Sequence, residues 1–146
     1  MIMNIALSLV FGVLITLHIS MNARAGTLAN SAALVNAVFW LVGAVTSVTL
    51  ALPQLTAAPI TALARVPPLL LLSGVIGGGV ALFNTWMIPR IGIAAFSLLI
   101  ILGQLSSSAV LTRTGYLGAM VEPLGLSRLA GLALVAVGTA LFLFGK

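Results

Sequence analysis

Apolar residues run in long stretches along this chain, interrupted at a few places by charges, prolines and glycines. A helix crossing about 30 Å of hydrocarbon at about 1.5 Å per residue needs about 20 residues, and the uncharged runs have that length. They predict five transmembrane helices, at about 2–20, 31–52, 68–88, 93–112 and 129–144. Pro53 ends the second run, the Pro67-Pro68 pair precedes the third, and Pro89, Arg90 and Gly92 form a stop, a turn and a restart before the fourth. That last link is so short that the third and fourth spans are expected to form an antiparallel hairpin. The fourteen residues from Pro53 to Val66 carry one charge, Arg65, and either extend the second span or lie in the membrane interface. Gly115 to Ser127, with Gly115, Gly118, Pro123 and Gly125, reads as a turn-rich connection. The expectation is an all-α integral membrane protein forming a single transmembrane domain over 1–146.

Composition strengthens this reading. The 146 residues are 62% hydrophobic and 5% charged, against about 25% charged in an ordinary soluble domain. Mean hydropathy is +1.32. Six Lys+Arg against one acid make the chain basic, but its cations stand singly and form no patch able to track a phosphate backbone, so no nucleic-acid partner is expected. The chain has no Cys, which removes disulfides and thiolate metal sites. Ala23-Arg24-Ala25 has the small-x-small form of a signal-peptide cleavage site. No Lys or Arg precedes the first apolar run and a second run follows at once, so a retained span is expected.

Charge then bears on orientation. With five spans, Arg65, Arg113 and Arg128 fall on one side of the membrane and Arg24, Arg90 and Lys146 on the other. Short loops with no bias give the Lys/Arg rule nothing to act on. Such a chain either inserts both ways and pairs with an inverted copy, or takes its orientation from its first helix or a partner subunit. An inverted pair has the symmetry that alternating access uses.

Polar and small residues inside the spans are the candidate functional positions. Gly74 and Gly78 form a small-xxx-small pair, Gly77 continues a neighbouring face with Ala81 and Asn84, and Gly103, Gly131 and Gly138 occur in the later spans; all are expected to serve helix packing. In the first span Asn4, Ser8, Ile15, His18 and Asn22 fall near one face, and in the second Asn36, Trp40, Gly43 and Ser47 do so. An unpaired amide in hydrocarbon is costly, so these groups face protein or a wet cavity. A path lined by Asn36, Trp40, Asn84, Gln104 and Ser107 suits a small, partly apolar solute, with Trp40 offering a stacking or cation-binding face. The alternative is interhelical hydrogen bonding with no passage. His18, Asn22, Arg24 and Glu122 are the titratable or gating candidates, and Glu122 is expected to pair with Arg113 or Arg128 over the cavity mouth. No Asp, Glu, Lys or Arg lies well inside a span. One His, one acid, no metal-ligand spacing and no phosphate-loop context argue against an enzyme, a metal site or a cofactor.

Met21-Asn22-Ala23-Arg24-Ala25-Gly26 after the first span, the Gly74 to Gly79 cluster leading to Ile88-Pro89-Arg90-Ile91-Gly92, Gly103-Gln104-Leu105, and Arg128-Leu129-Ala130-Gly131 with Gly138 keep their order along the chain. Together they resemble the small bacterial YdcZ-like family, a five-helix branch of the drug/metabolite transporter superfamily related to EamA-type transporters. The resemblance covers essentially the whole chain. It implies a half-unit of an inverted-repeat fold, multi-pass in the bacterial cytoplasmic (inner) membrane. It also implies a transporter subunit moving a small organic metabolite or drug-like solute by alternating access, as an inverted homodimer or with a paired five-helix sister subunit. A non-transporting scaffold or regulatory subunit is the alternative. The family's Asn-Ala-Arg segment falls at Asn22, Ala23 and Arg24, its Pro-Arg-x-Gly turn at Pro89, Arg90 and Gly92, and its Gly-Gln pair at Gly103 and Gln104. Two departures stand out: His18 replaces a frequent Gln, and Thr112-Arg113 replaces a frequent Asp-His, so that a coupling acid there would have to come from a sister subunit.

Overall fold

The computed structural model describes residues 2–145; Lys146, counted above among the boundary charges, lies outside them. The chain divides into two compact units, Met1–Arg90 and Ile91–Lys146. The first contains α1 (Ile2–Leu28), α2 (Ala32–Ala51), the short α3 (Ala57–Leu63) and α4 (Pro68–Leu71), and all but the last residue of α5 (Ser73–Ile91). The second contains α6 (Ile93–Thr114) and α7 (Leu126–Phe144). Five stretches are long and apolar enough to cross a membrane: Ile2–Leu28, Ala32–Gln54, Pro68–Ile91, Ile93–Thr114 and Leu126–Phe144.

The helix ends differ from the sequence expectation in ways that have local causes. α1 does not stop near Ser20 but continues to Leu28, so Asn22 and Arg24 are helical residues rather than loop residues. Its end is a Schellman motif. Asn30 takes a left-handed φ of 51, its N–H donates to the Thr27 carbonyl at 3.3 Å, and the Ser31 N–H reaches the Gly26 carbonyl at 3.2 Å. Ser31 then caps α2 by accepting from the Leu34 N–H at 3.2 Å. At 27 residues α1 is about 40 Å long, more than the roughly 30 Å of hydrocarbon it has to cross.

Pro89 is not the stop it was expected to be. α5 runs through it to Ile91, and the break falls at Gly92, whose φ of 81 suits glycine. Proline lacks the N–H that would bond the Thr85 carbonyl four residues back, which loosens the last turn without ending it. Of the Pro53–Val66 linker, Pro53 and Gln54 extend the second span within a 3-10 turn at Leu52–Gln54, and Ala57–Leu63 forms the short α3. α6 continues past Thr112 to Thr114 and ends at Gly115 with a φ of 66, while α7 begins at Leu126, three residues before the expected Leu129.

Among the described residues the buried apolar side chains are Ala23, Ile88 and Phe96, and the buried polar ones Thr85 and Thr139. The remaining apolar surface faces outward, an arrangement that lipid tolerates and water does not.

Candidate functional site

Within the first unit, α1 and α5 meet through Thr85, the most deeply buried side chain at 2% exposure. The Asn22 Nδ2 donates to Thr85 Oγ1 at 2.9 Å, and Thr85 Oγ1 donates to the Ala81 carbonyl at 2.9 Å. Gly26 lies against the same threonine: a methyl added there would stand 2.6 Å from Thr85 Cγ2. The Asn22-to-Gly26 segment thus acts here as a packing clamp, with Asn22 bonded to Thr85 and Arg24 left exposed. Thr85 escaped the sequence reading, although its place four residues before Pro89 was a usable signal.

Of the residues expected along a solute path, Asn36 and Trp40 gather against the α5 glycines. Asn36 Nδ2 donates to the Gly78 carbonyl at 3.3 Å. Trp40 lies over Gly77, where an added Cβ would meet the indole edge at 3.5 Å, and the Trp40 Nε1 is 4.0 Å from the corresponding point on Gly78. A row of rings runs outward from it, with Phe39 5.5 Å from Trp40 and His18 4.8 Å from Phe39. The Oδ1 atoms of Asn36 and Asn84 are both buried with no hydrogen-bond partner. In hydrocarbon each is an acceptor awaiting a donor.

Gln104 and Ser107 lie on α6 in the second unit, both exposed, and the Ser107 hydroxyl bonds back to the Gly103 carbonyl at 2.9 Å. Glu122 pairs with Arg128, the second of its two expected partners, and not with Arg113. Of the glycines expected to serve packing, Gly77 and Gly78 have Trp40 as neighbour; a Cβ added at Gly74, Gly103, Gly131 or Gly138 would meet nothing of the described chain within 4 Å. Among the described residues no three of His, Cys, Asp or Glu gather as a metal site requires.

These features, five apolar spans with amides and an indole set against a glycine-rich helix, coincide with a match to a known family. A family model described as "Putative inner membrane exporter, YdcZ" matches residues 3–141. The chain belongs to the YdcZ family. The family is one of membrane transporters in the drug/metabolite transporter superfamily and not of enzymes, and it places the chain in the inner membrane as a multi-pass protein. No curated protein and no solved structure matches the chain. The Asn22-Ala23-Arg24 segment lies beside Thr85, and in the Pro89–Gly92 stretch the Arg90 guanidinium stacks 3.8 Å from the Trp86 ring centroid and donates to the Trp86 carbonyl.

Proposed function

We propose that this chain is one half of a two-chain transporter, in which two five-helix units lie inverted across the membrane and carry a small organic metabolite or drug-like solute by alternating access. The second chain is a copy of this one or a five-helix sister. The observation that carries the proposal is the balance of boundary charges, Arg65, Arg113 and Arg128 against Arg24, Arg90 and Lys146. With no bias to hold one orientation, both become available, and two inverted units exchange conformations across a two-fold axis in the membrane plane. The family description supports outward movement. Gly74, Gly103, Gly131 and Gly138, where an added Cβ would meet nothing within 4 Å, offer surfaces on which a second chain can approach closely.

In this reading the unpartnered oxygens of Asn36 and Asn84 accept from the solute or from water accompanying it, and Trp40 provides a flat apolar face. Gln104 and Ser107, on α6 in the second unit, are the further solute-contact candidates. The Arg24 and Glu122 ends serve as gates at the two membrane faces.

Because the natural chain has no cysteine, single-cysteine labelling is free of background. Ala29→Cys, beside the end of α1, and Ala64→Cys, beside Arg65, are each expected to react with membrane-impermeant maleimide in part from both sides of the membrane. One-sided labelling together with an oppositely oriented sister chain supports a heterodimer. One-sided labelling with no inverted partner rejects the paired reading.

A further inference from the structure

α6 and α7 enclose a cleft of about 430 Å³ whose lining changes along its length. At its mouth stand Glu122 and Arg128 in a direct ion pair, their side chains 41% and 52% exposed. Thr112 and Ser108, one turn apart on α6, follow; Leu105, Leu132 and Val135 supply apolar lining. Gly131 also lines the cleft, and since a side chain there would meet nothing within 4 Å, the glycine keeps that part open.

The mouth is held by the backbone. Positive φ values at Gly115, Leu117 and Gly118 fold the connection back, and the Glu122 N–H donates to the Thr112 carbonyl at 3.0 Å. The turn is tight: a methyl on Gly115 would stand 2.9 Å from Val121 Cγ2. Glu122, the single acid of the chain, is therefore fixed at the end of α6 and faces a cation from α7.

An apolar lining with both signs of charge at one end is complementary to a zwitterion that carries an apolar group. The carboxylate of Glu122 suits an ammonium, and the guanidinium of Arg128 suits a carboxylate in two-point contact. Because Glu122 and Arg128 touch each other directly, a ligand that carries its two charges on neighbouring carbons bridges them with the smallest displacement of the two side chains. A simple cation engages only Glu122 and a simple anion only Arg128, so each makes one charge-assisted contact where a zwitterion makes two. We propose that this cleft binds a small zwitterion with adjacent ammonium and carboxylate groups and an apolar side chain, the chemistry of an apolar α-amino acid. The site lies within one unit of one chain and does not depend on inverted pairing.

Equilibrium binding of radiolabelled L-leucine to the full-length protein in detergent tests this, with L-leucinamide as the cationic and N-acetyl-L-leucine as the anionic competitor. Saturable leucine binding is expected, with both competitors weaker by about tenfold or more, since each makes one charge-assisted contact where leucine makes two. Glu122→Gln and Arg128→Gln should each abolish binding while the melting temperature stays near that of the parent, because so exposed a pair contributes little to stability. The double exchange Glu122→Arg with Arg128→Glu keeps both charges at the mouth and is expected to recover binding. No saturable binding, leucinamide binding as tightly as leucine, or binding intact in both single variants would overturn the proposal. So would a cleft that answers only to phosphatidylethanolamine nanodiscs, which would mark it as a lipid headgroup site. Since the cysteine labelling above reads orientation and not ligand, failure here leaves the paired transporter standing.

Discussion

Gly26 of α1 lies directly against Thr85 of α5, which makes Gly26→Ala a sensitive probe of the fold. The added Cβ would stand 2.6 Å from Thr85 Cγ2, 3.6 Å from Ala32 Cα and 3.8 Å from the Thr85 carbonyl. Ordinary carbon contacts lie near 3.5–4.0 Å, so about 1 Å of movement is demanded at the first. Thr85 cannot supply it cheaply. Its β-branched side chain is stiff, and rotating Cγ2 away would carry Oγ1 out of its bonds with Asn22 and Ala81, each 2.9 Å long. The helices must separate instead, at the roughly 1–3 kcal/mol typical of overpacking. Replacing Gly by Ala inside a helix also gains up to about 1 kcal/mol of propensity, which masks part of the effect. Gly12→Ala on the same helix provides the correction, because nothing lies within 4 Å of its added Cβ. Unfolding in mixed micelles titrated with SDS, followed by circular dichroism, should therefore place Gly26→Ala about 1–3 kcal/mol below Gly12→Ala. Adding Thr85→Ser, which removes Cγ2 and keeps the hydroxyl, should recover most of the difference. Equal stability of the two glycine variants, or no rescue by serine, would show that the α1–α5 contact is not as described.

Other perturbations read other parts of the structure. Thr85→Val keeps the shape but removes the acceptor for Asn22 Nδ2, and is expected to cost about 1–3 kcal/mol in the same titration, an effect that disappears in an Asn22→Leu background. Gly115→Ala forces a side chain into a φ of 66 and toward Val121, so limited proteolysis within residues 115–125 should become faster than in the parent while the helical content of α6 is kept. Gln104→Leu and Asn84→Leu are expected to lower transport per folded molecule in vesicles with little change in melting temperature, once screening has supplied a substrate; lowered stability with normal turnover would assign these amides to helix bracing instead.

Residue order alone determined the number of spans and the class of protein, because crossing hydrocarbon is a matter of length and apolarity that local sequence satisfies by itself. It also marked breaks between helices: Gly92 and Gly115, singled out as turn positions, adopt positive φ, whereas Asn30 does so without having been singled out. What local sequence did not determine was how far a helix runs past its apolar segment. Residues 21–28 contain Asn, Arg and Thr and look like a loop by hydropathy, yet α1 continues through them, with Asn22 bonded to Thr85 and Gly26 packed against it. Pairings between distant residues were likewise out of reach. Glu122 has Arg113 nine residues before it and Arg128 six after it, and either was within reach; the left-handed turn after Gly115 and the packing of α7 on α6 put Arg128 at its side. The polar residues themselves could be picked out, since any amide in an apolar span stands apart from its neighbours. Which of them are satisfied and which are left waiting, Asn22 on Thr85 but Asn36 and Asn84 with free oxygens, was decided only when the helices came together, because a hydrogen bond needs two atoms within about 3 Å and that distance is set by tertiary packing.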